Sequence, residues 1–187
     1  MSLFQTLKPK PKSQNSSTCL LLDVSGSMGT YIVPEEGLEV RRIDQMFKVV
    51  RETHECDGLK AFAFSNDCWP LEVIPSENDN FAPRSSTDLA RAFATVKASG
   101  FFSVILVTDG EPDNEVEALQ EAQGMKLGII YIGNPPVPFF LERLAKATDG
   151  TFALADMRSD DQLKIALIHA LPPPDAVTPN TEKVIKL

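Results

Sequence analysis

Histidine and cysteine are scarce here, with two of the first and three of the second among 187 residues. Cys19, Cys56 and Cys68 are odd in number and contain no CxxC pair, so neither a disulfide framework nor a zinc cage is encoded, and reduced, mostly buried thiols are expected. His54 and His169 have no serine or cysteine arranged beside them as a nucleophile, which leaves them without a catalytic role. Long apolar runs are also missing, because 104–107 and 128–132 fall far short of the roughly 20 residues of a membrane helix. Positive charge is in deficit: 18 Lys and Arg face 26 Asp and Glu, a formal net charge of -8, and no basic stripe with interleaved aromatics appears. That is the wrong sign for neutralising phosphates and argues against nucleic acid as a partner. The chain has no glycine-rich GKS or GKT phosphate loop and therefore no ATPase of that kind. Lys8, Lys10 and Lys12 are not followed by an apolar stretch of signal-peptide length, from which a cytoplasmic location is expected.

What is present is the composition of one folded domain, with 43% hydrophobic and 24% charged residues. Residues 1–17, rich in Lys, Pro, Ser, Gln and Asn, read as a basic solvated tail, 18–171 as the domain, and 172–187 as a second, Pro-rich tail. Within the domain, apolar runs of strand length alternate with stretches of helical period. Strands are expected at 18–24, 59–65, 103–108, 127–132 and 151–155, with a short edge strand at 71–74. Helices are expected at 38–55, 87–98, around Val116–Ala122, at 139–147 and at 159–171. In the first helix Val40, Ile43, Phe47 and Val50 form the inner stripe and leave Arg41, Arg42, Asp44 and Lys48 outside. Ser85 and Ser86 are candidate N-caps, and Ser159 with Gln162 has the spacing of a capping box. This alternation implies an α/β fold with a doubly wound, mostly parallel central sheet and helices on both faces.

In an open α/β sheet the ligand crevice lies beyond the carboxyl ends of the strands. Three polar groups fall there: Asp23-Val24-Ser25-Gly26-Ser27, Thr87-Asp88, and Thr108-Asp109-Gly110. Asp23, Ser25 and Ser27 are spaced by two and share a face of an extended strand end, where Gly26 lets the turn bring both hydroxyls round one point. Their donors are all oxygen, which suits a small hard ion such as Mg²⁺ or Mn²⁺ rather than zinc. The other reading of this cluster is an N-capping turn that holds no ion.

Asp23-x-Ser25-x-Ser27 together with Thr87 and Asp109 resembles the metal-ion-dependent adhesion site of von Willebrand factor A (VWA) domains, and the resemblance covers roughly 18–171. It implies a Rossmann-like VWA fold. It also implies a Mg²⁺, with Mn²⁺ or Ca²⁺ as alternatives, held directly by Ser25, Ser27 and Thr87, with Asp23 and Asp109 acting directly or through water. In this family the ion accepts an Asp or Glu from a protein partner, and several intracellular members serve as subunits of larger assemblies, for example beside an AAA+ ATPase. The implied function is thus a non-enzymatic, Mg²⁺-dependent protein-interaction module. One departure is that Thr87 follows Ser85-Ser86, where a glycine pair is frequent.

An enzymatic alternative takes Asp23 as the nucleophile of a Mg²⁺-dependent phosphotransferase or phosphatase of haloacid-dehalogenase-like type. Ser25 stands where those enzymes place a second Asp as general acid, and a serine cannot perform that proton transfer. Around the cluster, Asp88, Glu111 and Asp113 read either as groups that orient the waters of an ion or as ordinary loop and helix-start charges. Trp69 is either a partner-facing anchor or a packed edge residue. The loop 28–37, with Tyr31, Ile32, Val33 and Pro34, forms a binding surface if it is exposed. Glu182–Leu187 alternates charged and apolar residues, as a strand added to another sheet would, or a frayed tail.

Overall fold

The structure is a computed structural model that describes residues 18–171 apart from 36, 77, 78 and 80. The two stretches read as tails, 1–17 and 172–187, and with them the alternating segment Glu182–Leu187, lie outside the described residues.

The organising strand is β1 (Thr18–Asp23), in which every residue is buried. Its alternation divides two cores: Leu20 and Leu22 belong to one, Cys19 and Leu21 to the other. Beside it on one side lies β4 (Lys60–Phe64) and on the other β6 (Ser103–Thr108), both parallel. Next to β6 come β7 (Lys126–Tyr131) and β8 (Thr151–Leu154), also parallel. The far edge is β5 (Cys68–Leu71), antiparallel to β4, which completes a six-stranded sheet in the order β5-β4-β1-β6-β7-β8. The edge strand thus falls three residues before the 71–74 expected. Two very short strands, β2 (Tyr31–Ile32) and β3 (Val40–Arg41), pair separately as a hairpin.

Helices cover both faces. On one face lie α1 (Arg42–Glu52) and α5 (Asp160–Ala170), whose Ile43, Phe47, Val50, Leu163 and Leu167 pack on Leu20, Leu22, Ile105 and Val107. On the other lie α2 (Leu89–Ala98), α3 (Glu115–Glu121) and α4 (Phe139–Ala147), whose Leu89, Phe93, Ala118, Leu141 and Leu144 pack on Leu21, Val104 and Leu106. A buried side chain of this size contributes about 1.5–3 kcal/mol, so strands buried on both sides anchor the fold. The mostly parallel, doubly wound α/β fold is as the sequence implies. No helix among the described residues is long and apolar enough to cross a membrane.

Several local expectations are corrected. The first helix starts at Arg42 rather than near 38, because 38–41 is used by the hairpin. Asp88, not Ser85 or Ser86, caps α2, its carboxylate accepting from the Arg91 N–H at 2.9 Å. Ser159 makes no side-chain cap, and Gln162 reaches back to accept from the Asp156 N–H at 3.1 Å, so the capping box is not formed. The two cap corrections choose among polar residues two or three positions apart, which hydrophobic period does not distinguish.

Candidate metal centre

β1 and β6 are neighbours whose crossovers leave in opposite directions, and the crevice at such a switch point is where ligands bind in open α/β sheets. Asp23, the last residue of β1, is fully buried. Its Oδ1 accepts the Ser25 N–H at 2.8 Å, and its Oδ2 accepts the Thr108 hydroxyl at 2.6 Å. Burial pushes the Asp23 carboxyl up to about 6, against the lowering effect of the Thr108 and Ser25 hydrogen bonds. This carboxylate therefore ties the end of β1 to the end of β6 and folds the serine turn back on itself.

The turn runs on into a single 3₁₀ turn, Gly26–Gly29. A Cβ on Gly26 would lie 3.3 Å from the Arg84 carbonyl oxygen, so the neighbouring segment 83–85 closes tightly over the turn. The Ser25 and Ser27 hydroxyl oxygens are 3.2 Å apart, and the Ser27 hydroxyl donates to Asp109 Oδ1 at 2.6 Å. Asp109 follows β6 directly and its side chain is completely enclosed. The remaining oxygen of Asp109 accepts from Nη1 of Arg42, the first residue of α1.

The helical period puts Arg42 on the outer face of the first helix, and the structure overturns this: the residue is 5% exposed. Its main-chain N–H is held by the Thr30 carbonyl at 2.9 Å, and its side chain turns inward to the carboxylate. Two carboxylates, Asp23 and Asp109, thus share the cluster with one guanidinium, which leaves one net negative charge.

Thr87 sits on the rim but outside this network. Its main chain pairs with Asp113, the Thr87 N–H donating to Asp113 Oδ2 at 3.2 Å and the Thr87 carbonyl accepting from the Asp113 N–H at 3.0 Å. The Asp113 carboxylate therefore holds the segment that carries Thr87. Asp88 is occupied as a cap, and Glu111 is exposed.

The oxygen set fits a small hard cation. Mg²⁺ takes octahedral ligands at about 2.0–2.1 Å, which puts adjacent donor oxygens roughly 3 Å apart, and the serine hydroxyls stand 3.2 Å apart with Asp109 beside them. No group of three or more His, Cys, Asp or Glu that could hold a metal ion is gathered among the described residues.

Around the crevice, Tyr31, Val33 and Leu38 are exposed at 61%, 60% and 86%. In the loop 28–37, Tyr31 and Val33 are thus exposed, whereas Ile32 and Pro34 are half-buried. Trp69 is a packed edge residue: it stacks on Phe81 with ring centroids 6.5 Å apart, and the Arg84 guanidinium lies 4.3 Å from its ring centre. Nothing in the helical period marked Arg42. The signal that could have found it is a charged residue next to the first apolar position of a helix facing the acidic strand ends.

No family model matches the chain. In sequence it is 26% identical over 159 residues to "von Willebrand factor A domain-containing protein 3A" of Homo sapiens, a match spanning 73% of this chain and 13% of that protein. Among solved structures, the SpRpn10 VWA domain aligns with a TM-score of 0.53 at 12% identity, over 81% of this chain and 93% of that one. A von Willebrand factor type A protein from Catenulispora acidiphila aligns with a TM-score of 0.56 at 16% identity, over 82% of this chain and 41% of that one.

Proposed function

Starting from the VWA fold that the described part of the chain has, we propose that it is a non-enzymatic protein-interaction module. Its contact is completed by a Mg²⁺ ion and an acidic side chain of the partner. The observation that carries this reading is the convergence of the Ser25 and Ser27 hydroxyls and the Asp109 carboxylate at the switch point of the sheet. Ser25 and Ser27 would hold the ion, with Thr87 as a third direct donor and Asp23 and Asp109 acting directly or through water. An ion held this way supplies an open coordination position that a carboxylate from outside can fill. Asp23 orients the serine turn, Asp109 orients Ser27, and Arg42 holds Asp109 in place and limits the negative charge of the cluster. The exposed Tyr31 and Val33 add apolar surface on the hairpin that follows the serine turn.

The phosphotransferase alternative meets a physical obstacle. A nucleophilic carboxylate must present an oxygen to phosphorus, whereas Asp23 is fully buried and both its oxygens already accept internal hydrogen bonds. The setting that goes with this function is cytoplasmic, as a subunit of a larger assembly such as one built on an AAA+ ATPase.

The test is affinity capture in Mg²⁺ and in EDTA with the wild type and with the Ser25→Ala, Ser27→Ala variant. A partner retained only by the wild type in Mg²⁺ supports the reading. A partner retained equally in EDTA and by the variant moves the interface away from the cluster and overturns it.

A further inference from the structure

The two edges of the sheet are built differently. At one edge, β5 carries Pro70, which has no N–H to offer an incoming strand. At the other, β8 has no proline, no glycine and no charged residue, and its Leu154 is 59% exposed. The Ala155 N–H donates to the Tyr131 carbonyl at 3.0 Å. By the alternation of a parallel ladder, residues 151, 153 and 155 therefore bond to β7, and the main-chain N–H and C=O of Phe152 and Leu154 point to the open side. None of these outward groups has a partner among the described residues. An apolar edge left without a lysine, a proline or a bulge is a template for another strand, and natural sheets cover such an edge.

The chain itself supplies a segment within reach. α5 ends over the amino ends of β7 and β8: a Cβ on Gly128 would lie 3.0 Å from the Ala170 Cβ and 3.4 Å from Thr151 Oγ1. Residues 172–181 follow, with prolines at 172, 173, 174 and 179, and after them comes Glu182-Lys183-Val184-Ile185-Lys186-Leu187, which has neither glycine nor proline. The linker of ten residues extends to at most about 33 Å, against roughly 13 Å along β8, so either end of the strand can be reached. Val184 and Ile185 suit a strand, and Lys183 and Lys186 are the kind of charge that guards the outer edge of a sheet. Direction follows from handedness. The crossovers β6-α3-β7 and β7-α4-β8 step outward with their helices on one face, and α5 lies on the other. A parallel strand reached from α5 would make a crossover of the opposite hand, which α/β sheets almost never contain, whereas an antiparallel strand makes no such crossover. The far edge of the sheet has the same arrangement, β5 being antiparallel to β4.

We propose that residues 182–187 of this chain bind the open edge of β8 as an antiparallel seventh strand, with the main chain of Phe152 and Leu154 as their partners. The contact needs neither Mg²⁺ nor another protein, and it holds whether or not the partner reading above is correct.

The test uses the full chain labelled with ¹³C and ¹⁵N, in EDTA. Nuclear Overhauser contacts in an antiparallel pattern are expected between 152–154 and 183–186. The Phe152 and Leu154 amides should exchange with solvent about tenfold or more slowly in the wild type than in a Val184→Pro, Ile185→Pro variant. Two successive prolines remove an N–H on each side of the added strand, so one that faces β8 is lost in either register. The Leu21 and Leu106 amides of the central strands should exchange equally in both proteins, which shows that the variant is folded. Three results overturn the proposal: no contacts to β8 with Phe152 and Leu154 amides that exchange equally fast in both proteins, contacts in a parallel pattern, or contacts that a mixture of labelled and unlabelled chains shows to run between two molecules. The last would assign the edge to a second copy of the chain instead.

Discussion

Replacing Arg42 with Met tests the charge balance of the cluster most directly. The Asp109 side chain is completely enclosed and that of Arg42 is 6% exposed, so the substitution strands a carboxylate in the interior. Breaking such a pair from one side costs about 3–5 kcal/mol. At about 2–4 °C per kcal/mol for a domain of this size, the melting temperature in EDTA should fall by roughly 6–20 °C. Mg²⁺ should act in the opposite sense. Without the guanidinium the cluster carries two net negative charges instead of one. A unit charge about 6 Å from a divalent ion is worth about 1–5 kcal/mol at effective dielectric constants between 80 and 20. Mg²⁺ affinity should therefore rise about tenfold or more, and millimolar Mg²⁺ should stabilise the variant more than the wild type. The double variant Arg42→Met, Asp109→Asn removes both charges and should recover most of the lost stability in EDTA while losing the response to Mg²⁺. Thermal melts of the three proteins with EDTA and with Mg²⁺ decide the matter. A single variant that melts within 2 °C of wild type in EDTA, or whose gain from Mg²⁺ is no larger than that of wild type, refutes the reasoning.

Ser27→Ala removes the 2.6 Å donor to Asp109 and should cost about 1.5–3 kcal/mol in urea denaturation. It should also abolish the gain of about 2.7 kcal/mol that an ion at 100 times its dissociation constant gives the wild type. Gly133→Ala would put a Cβ 2.5 Å from the Asp109 carbonyl oxygen and against the Tyr131 ring, so the main chain must move. A loss of about 1–3 kcal/mol is expected, read by urea denaturation. Burial raises the thiols of Cys19 and Cys68 to about 12 and that of Cys56 to about 11, from an ordinary 9.0. Labelling by a disulfide reagent at pH 8 should therefore be at least about a hundredfold slower in the folded than in the denatured chain. The folded chain keeps thiol protons that the unfolded chain has lost, so this contribution is full below pH 9 and declines as pH rises from 9 towards 12. Urea midpoints across that range check the sign.

The parts of the fold that were legible in the sequence are those whose signal is local. The strand 103–108 and the helix 139–147 agree with the expected bounds because a continuous apolar run and an isolated amphipathic stripe each admit one reading. Asp23, Ser25 and Ser27 come together with Asp109 as their places at strand ends implied, since a parallel sheet brings the ends of neighbouring strands to one rim. Thr87 lies on the same rim, but its segment is held by Asp113, a residue 26 positions away, and its main chain carries the contact. Arg42 was misplaced because helical period sorts residues by hydrophobicity, and a charged residue can face inward only when a distant chain segment supplies its counter-ion. That counter-ion is 67 positions away, and nothing local announces it.

The bond from the Arg42 N–H to the Thr30 carbonyl staples the base of the β2–β3 hairpin at the residue whose side chain grips Asp109. The exposed side chains of the hairpin are thereby joined to the cluster through this residue, beside the bond from the Thr30 N–H to the Ser27 carbonyl at 3.0 Å. Whatever free energy passes through that joint is the same in both directions. If a body pressing on the hairpin changes the affinity of the cluster for a cation by some factor, the cation changes the grip on that body by the same factor. The hairpin and the strand ends then answer to one shared equilibrium.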